Sequence, residues 1–292
     1  MTRFKYVKAA SINGALDFMS DHPGSFIIAG GTDLMVKIRE TVVKPTMVID
    51  VTGIAELNGI RLVEDRLTIG AVVTHTELSE SELVGLYAPA LAEASSLVGS
   101  PQIRNRGTVG GNIVNASPAA DTVPALFIYN AAVTVTGPQG SRQVHIGDFF
   151  TGPGRTVLAA GEMIVEISLP LQKAGQASSF QKLGKRKAQA ISVVNAAAYL
   201  AMDRATGKVT DVRLALGSVA ATVVRVREAE QGLWGRTITP SLICEAGNKA
   251  AATISPIDDI RSTAIYRREA GGVLIARALE CAWRRINKED RP

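Results

Sequence analysis

Cysteine is scarce: the 292-residue chain has two, Cys244 and Cys281. An iron–sulfur cluster takes about four thiolates, and a structural zinc site about four Cys or His ligands at set spacings; this chain has no such set. Both cysteines sit in helix-like patterns among apolar neighbours, which predicts buried, reduced thiols rather than a disulfide framework. Histidine is nearly as rare, with His22, His75 and His145. The sequence contains no HExxH, no GxSxG and no cysteine near a candidate base, so no catalytic residue and no metal ligand is assigned. Each histidine reads as a surface or structural residue. If the chain serves an enzyme, a cofactor must carry the chemistry.

Long apolar runs are missing too. Nothing approaches the roughly 20 residues that cross a bilayer, and the first 19 residues have no apolar core followed by a small-residue cleavage site. No membrane span and a cytoplasmic location are therefore expected, and the sequon Asn115 to Ser117 is discounted. Aromatics make up 5% of the chain. The basic runs at 182 to 187 and 283 to 288 lack interleaved aromatics, so they read as solvated faces and nucleic acid is not an expected partner. Net charge is +5, from 32 Lys plus Arg against 27 Asp plus Glu. Apolar residues at 46% and charged residues at 20% are the balance of a globular fold, and the length admits two domains.

The residues that are present alternate between helical and strand-like patterns. Ser11 is placed to cap a helix that ends at Pro23 and Gly24, and residues 25 to 29 read as a buried strand. Residues 34 to 40 are helical, residues 46 to 51 a strand, and residues 59 to 73 a hairpin turning at Glu64 and Asp65. Capping-box spacings occur at Thr74 to Glu77 and at Ser79 to Glu82, and residues 89 to 99 form a helix stopped by Gly99. The first half of 101 to 126 has no period. In its second half Asp121 is a sensible helix cap, with Pro124 in the first turn. A hairpin at 131 to 146 and a strand at 162 to 170 follow. Small and polar residues at 171 to 179 mark a boundary. Beyond it come a long hairpin around 204 to 207 and three helices: near 225 to 234, from Thr239–Pro240, and near 263 to 287. This is an α+β chain.

Two glycine-rich corners stand out. The first holds Gly30, Gly31, Thr32 and Asp33; the second Thr108, Gly110, Gly111, Asn112, Asn115 and Ser117. Glycine lets successive N–H groups converge on an anion, and Thr32, Thr108, Asn112 and Ser117 could add side-chain donors. Two such cradles suit one pyrophosphate, although each stretch also reads as a plain tight turn. Neither matches GxGxxG or a Walker A loop, which disfavours a standard dinucleotide fold and a P-loop NTPase.

Residues 29 to 34 (AGGTDL) with 101 to 126 (PQIRNRGTVGGNIVNASPAADTVPAL) resemble the paired flavin-binding motifs of the FAD-binding medium subunits of xanthine dehydrogenase and related molybdenum hydroxylases. Residues 148 to 170 resemble the stretch that closes that family's flavin domain, and the segments AISVVNAAAYL and STAIYRREAGGVLIARALE resemble its C-terminal domain. The resemblance implies a PCMH-type (vanillyl-alcohol-oxidase-like) FAD domain of two α+β subdomains over 1–172. It also implies a C-terminal α+β domain, an antiparallel sheet with a helix bundle as in CO dehydrogenase flavoproteins, over 176–288.

By the same resemblance, Ile27, Ile28, Ala29, Gly30, Gly31, Thr32 and Asp33 wrap the FAD pyrophosphate from one side, and Thr108, Gly110, Gly111 and Asn112 from the other. Ser117 and Asp121 contact the adenosine half, Val98 lies near the adenine and Ile164 by the ring system. Lys182 lies close to the flavin, where a cation would stabilise a reduced, anionic ring. The Asp33 carboxylate is expected to turn from the phosphates and accept backbone N–H bonds.

The implied function is electron transfer. A large partner holds the molybdopterin cofactor, a small partner holds [2Fe-2S] clusters, and FAD on this chain passes electrons to NAD or another acceptor, in a complex expected to be a dimer of heterotrimers. Thr32 and Asp33 stand where CO dehydrogenase medium subunits tend to have His-Ser, which turns the expectation away from that enzyme. The cluster-bearing insertion of hydroxybenzoyl-CoA reductase subunits is absent, and Pro153 replaces a tyrosine that larger xanthine dehydrogenases carry over the flavin. The alternative is a self-sufficient flavoenzyme of the same fold, such as a UDP-N-acetylenolpyruvoylglucosamine reductase.

Overall fold

The computed structural model describes residues 3 to 186 and 189 to 289, with the side chains of 288 and 289 left out. Lys187, which ends the first basic run, and the side chain of Lys288, which ends the second, lie outside the described residues, as do Met1 and Thr2 at the start of the first predicted domain.

Three sheets organise the chain. Lys5–Lys8, Met47–Asp50 and Phe26–Ile28 form a parallel three-stranded sheet in that spatial order. The crossover helix Ile12–Asp21 starts where Ser11 accepts a hydrogen bond from Gly14 N at 3.1 Å, as the sequence predicts. A second, antiparallel sheet runs Ile60–Val63, Arg66–Gly70, Met163–Pro170, Ala132–Gly137, Gly140–His145. Short helices between residues 75 and 128 cover it, and its core includes Leu67, Ile69, Leu91, Ile113, Leu126 and Ile167. These two sheets with their helices are the two α+β subdomains of the first half.

The third sheet, Gln176–Gly184, Ser192–Met202, Val209–Gly217, Val224–Arg225, is antiparallel. Its central strand alternates between two cores, because successive side chains of a strand point to opposite faces. Ala197, Tyr199 and Ala201 join the core of the preceding subdomain, while Val194, Ala196, Ala198 and Leu200 pack with the helices Pro240–Thr253 and Ala264–Glu289. Small residues on this strand allow close approach from both sides.

Several expectations change in three dimensions. Residues 26 to 28 were predicted to be buried on both faces; Phe26 is exposed and Ile27 and Ile28 half-buried, because one side of this strand is open to a cleft. The helix after Glu80 is capped by Ser81, which accepts from Val84 N at 3.3 Å, rather than by Ser79. The aperiodic stretch after Gly99 holds the short helices Pro101–Arg104 and Val109–Asn115, capped by Ser100 and Thr108. Asp121 makes no capping bond. Cys244 and Cys281 are free, as predicted, but exposed and half-buried respectively. The basic runs are not plain solvated faces either: Arg285 bonds to Glu93 and to the Ser178 carbonyl across the two halves of the chain. No helix among the described residues is long and apolar enough to cross a membrane.

Tyr129 ties the halves together from inside. Its hydroxyl lies 2.5 Å from Ser178 Oγ and 3.2 Å from Ala90 N; burial holds its proton on well above the usual tyrosine range. Removing the oxygen leaves buried polar groups short of a partner, so Tyr129→Phe should destabilise the chain by about 1–3 kcal/mol. Thermal melting checks this; an unchanged melting temperature would mean the hydroxyl contributes nothing net.

Candidate functional site

The first corner continues directly from the strand Phe26–Ile28 and feeds the helix Leu34–Arg39. Gly31 sits at φ +72, a left-handed conformation that side chains rarely adopt. The turn that results leaves the N–H groups of Gly30, Gly31, Thr32 and Asp33 without an acceptor among the described residues, and the Thr32 hydroxyl likewise. Such a row of unclaimed donors is an anion-binding concavity.

The second corner is different. Val109 N donates to Val73 O at 2.9 Å, Gly110 N to Ala71 O at 3.0 Å, Gly111 N to Thr108 Oγ1 at 3.1 Å and Asn112 N to Thr108 O at 2.9 Å. These four amides are spent inside the protein, whereas the Thr108 N–H has no acceptor among the described residues, which corrects the expectation of two equal backbone cradles. Side chains remain. Thr108 keeps its hydroxyl proton, since its oxygen accepts from Gly111, and Asn112 keeps its NH2 group, since Oδ1 accepts from Thr122 at 2.7 Å.

Glycine brings the corners together. A Cβ on Gly30 would lie 1.8 Å from Arg106 O and 3.0 Å from Gly107 Cα, so only a residue without one permits this approach. Lys37 Nζ donates to Asn115 Oδ1 at 2.6 Å, and Asn115 Nδ2 donates to Asp33 Oδ1 at 3.2 Å. The Asp33 carboxylate is therefore held by a side chain of the second corner and not by the backbone N–H groups expected for it.

Between the corners opens a cleft of about 420 Å³. Ile27, Ile28, Ala29, Gly30, Gly31, Thr32, Asp33, Val98, Thr108, Gly110, Gly111, Asn112 and Ile164 all line it. One side is polar and rich in donors; the other is apolar, with Leu57, Val72, Met163 and Ile164. That pairing suits a ligand with a phosphate group at one place and a flat apolar ring at another. Glu162 also lines the wall, its carboxyl held down to about 2 by hydrogen bonds from Arg142 and the Ala159 amide.

Three of the expected residues do not line the cleft. Ser117 accepts from Ala119 N at 3.2 Å in a turn. Asp121 is buried at the junction with the third sheet, where it accepts from Lys182 Nζ at 2.6 Å, Ser192 Oγ at 2.5 Å and Asn195 Nδ2 at 2.9 Å. Lys182 also donates at 2.8 Å to the carbonyl of Leu97, the residue before Val98. Sequence reasoning left out Lys37 and His75 as site residues and placed Asn115 in the second corner without a role. The helical step from Asp33 to Lys37 was a usable signal for the first; nothing local marks His75.

Comparison with known proteins then decides the family. Residues 2–172 match the FAD binding domain in molybdopterin dehydrogenase, and residues 179–282 match the CO dehydrogenase flavoprotein C-terminal domain. The chain belongs to the FAD-binding medium subunits of the molybdenum hydroxylases. It is 37% identical over 228 residues to the xanthine dehydrogenase FAD-binding subunit of Escherichia coli O157:H7, covering 77% of each chain. It is 34% identical over 285 residues to the carbon monoxide dehydrogenase medium chain of Hydrogenophaga pseudoflava, covering 97% of this chain and 98% of that one. A chain of the carbon monoxide dehydrogenase structure from Hydrogenophaga pseudoflava superposes with TM-score 0.93 at 32% identity, covering 97% and 98% of the two chains.

The family is one of oxidoreductase subunits that bind FAD, and the clustered free amides of Gly30 to Asp33 fit a diphosphate. The self-sufficient reductase is not favoured, because these relatives span most of the chain and are subunits of larger enzymes. Having Thr32 and Asp33 in place of His-Ser does not separate the chain from CO dehydrogenase medium chains, which align along nearly all of it.

If the contact at Gly30 sets the site, Gly30→Ala should abolish FAD retention and lower the melting temperature, since the new carbon meets the Arg106 carbonyl. Gly85, with open space around the position of its missing Cβ, is the control: Gly85→Ala should retain FAD and gain about 0.5–1 kcal/mol from helix propensity. FAD retained by Gly30→Ala would contradict the assignment.

Proposed function

We propose that this chain is the FAD-binding electron-transfer subunit of a heteromeric molybdenum hydroxylase, working with a molybdopterin-binding large subunit and a small subunit that carries [2Fe-2S] clusters, and delivering electrons to NAD or another acceptor. The reading rests above all on the four unclaimed amides at Gly30 to Asp33, opening onto a cleft that is apolar on its far side. Bound there, FAD would supply exchange between one-electron and two-electron carriers.

The chain's own residues bind and orient. The amides of Gly30, Gly31, Thr32 and Asp33 hold the diphosphate from one corner. The Thr108 hydroxyl and the Asn112 amide group meet it from the other, where Gly110 and Gly111 keep the backbone bare of side chains. Ile27, Ile28 and Ala29 pack along the nucleotide, Val98 covers the adenine side and Ile164 the ring. Lys182, Asp121 and Ser117 act from behind this wall. The pair Lys182–Asp121, each side chain 8% exposed, keeps a cation and its counter-charge fixed at the end of the cleft nearest Val98. Residues 1–172 would then form the flavin domain and 176–288 the domain that braces it.

No group on this chain is assigned to substrate oxidation, and among the described residues no cluster of His, Cys, Asp and Glu could hold a metal ion. The purified chain should therefore turn yellow with FAD but oxidise no purine or aldehyde by itself. Tagged and isolated from its own cells, it should bring down two further subunits containing molybdenum and iron. Metal analysis of the co-purified material checks this. A chain that purifies alone, or turns over substrate alone, would overturn the reading.

A further inference from the structure

His75 is the first residue of the helix that follows the cap Thr74, and its side chain is 2% exposed. Its Nδ1 is sealed from solvent without a hydrogen-bond partner. Burial, with the Arg104 guanidinium nearby, lowers its pKa to about 4, so the ring is neutral at physiological pH and carries one N–H. The ring also lines the cleft. Its Cδ2 lies 3.2 Å from the point where a Cβ on Gly107 would stand, and Thr32 Oγ1 lies 3.5 Å from the same point. The Cδ2–Nε2 edge is thus turned to the junction of the two corners, beside the unclaimed amides.

A buried histidine with no partner is unusual, because a buried polar group left unpaired is costly. With no acceptor at Nδ1, the proton belongs on Nε2. We infer that His75 is a ligand of the bound nucleotide, donating from Nε2 to a diphosphate oxygen and so standing in for the second-corner amides that are consumed by Ala71, Val73 and Thr108. The inference rests on the FAD reading given above and names one more residue of that site.

A neutral donor there has a consequence for pH. A second proton would have to sit on Nδ1, which is sealed without an acceptor, so the ring stays neutral with nucleotide bound and Nε2 donates unchanged across the physiological range. Of the other charged groups, Asp33, Lys37 and Glu162 line the cleft, Arg104 acts on the ring from the helix Pro101–Arg104, and Glu77 lies on the same helix as His75. They are unchanged in a His75 variant, so the difference from wild type isolates the ring.

The test is FAD affinity of the full chain, by fluorescence titration at pH 5 and pH 7.5, for wild type, His75→Gln and His75→Phe, with thermal melting of each without FAD. Phe keeps the ring shape and drops the donor; Gln keeps an amide donor near Nε2. The expected result is roughly tenfold or more weaker binding by His75→Phe at pH 7.5, substantial recovery in His75→Gln, and a change in affinity between pH 7.5 and pH 5 that is the same for wild type and both variants. Melting without FAD should be unchanged or raised in His75→Phe. Wild-type affinity in His75→Phe, an equal loss in His75→Gln, or a pH dependence of wild type that both variants lose would overturn the inference and leave the FAD reading intact. A wild-type chain that binds no FAD at either pH would overturn both.

Discussion

The site depends on one close approach of backbone to backbone, where Gly30 rests against the Arg106 carbonyl and Gly107. No side chain fits there: even a methyl group would stand 1.8 Å from the carbonyl oxygen. The contact joins a loop from the parallel sheet to a loop from the antiparallel one, and so fixes how the two subdomains meet. With the corners locked, the first can leave its amides unclaimed, because the bonds that hold it in place are made elsewhere, by Lys37, Asn115 and Asp33. The second takes the opposite course. It spends the amides of Val109 to Asn112 on Ala71, Val73 and Thr108 and is held by them, offering side chains from a firm base. A loop with free backbone donors and one with oriented side chains make a cradle that neither forms alone.

The third sheet supports this arrangement from behind. Its central strand is buried on both faces, so the C-terminal half cannot separate from the first without exposing apolar surface on each side. The buried cluster of Asp121, Lys182, Ser192 and Asn195 lies along that boundary. An isolated carboxylate there would be costly; paired with a lysine and two neutral donors it is satisfied. Lys182 also reaches the Leu97 carbonyl, so the cluster links the position of the third sheet to the wall of the flavin cleft at Val98. Arg285 and Glu93 make a second tie near the strand that carries Lys182, where Glu93 also accepts from Phe180 N.

Much of the architecture was legible in the sequence where the determining interactions are local. The caps at Ser11 and Thr239, the capping box of Thr74 with Glu77, and the hairpins at 60 to 70 and 132 to 145 depend on residues a few positions apart, and each formed. The helices Pro101–Arg104 and Val109–Asn115 were missed because four and seven residues are too few to show a period; only their caps announce them. The fate of the second corner's amides could not be read, since their acceptors Ala71 and Val73 come from a distant segment. Asp121 illustrates the same limit. Its position suggested a helix cap or a nucleotide ligand, whereas its partners Lys182 and Asn195 lie 61 and 74 residues further on. His75 carried no motif at all, and its interest arises only from burial and neighbours.

The chain is an FAD-binding medium subunit of the molybdenum hydroxylase family, and the two corners differ in what they offer a ligand: donors mainly from backbone on one side, mainly from side chains on the other. Residue-resolved amide hydrogen exchange with and without FAD tests that asymmetry most directly. Without FAD, the amides of Gly30 to Asp33 should exchange fast and those of Val109 to Asn112 slowly; adding FAD should protect the first set strongly and change the second little. Protection gained at Val109 to Asn112 while Gly30 to Asp33 stayed fast would contradict the account.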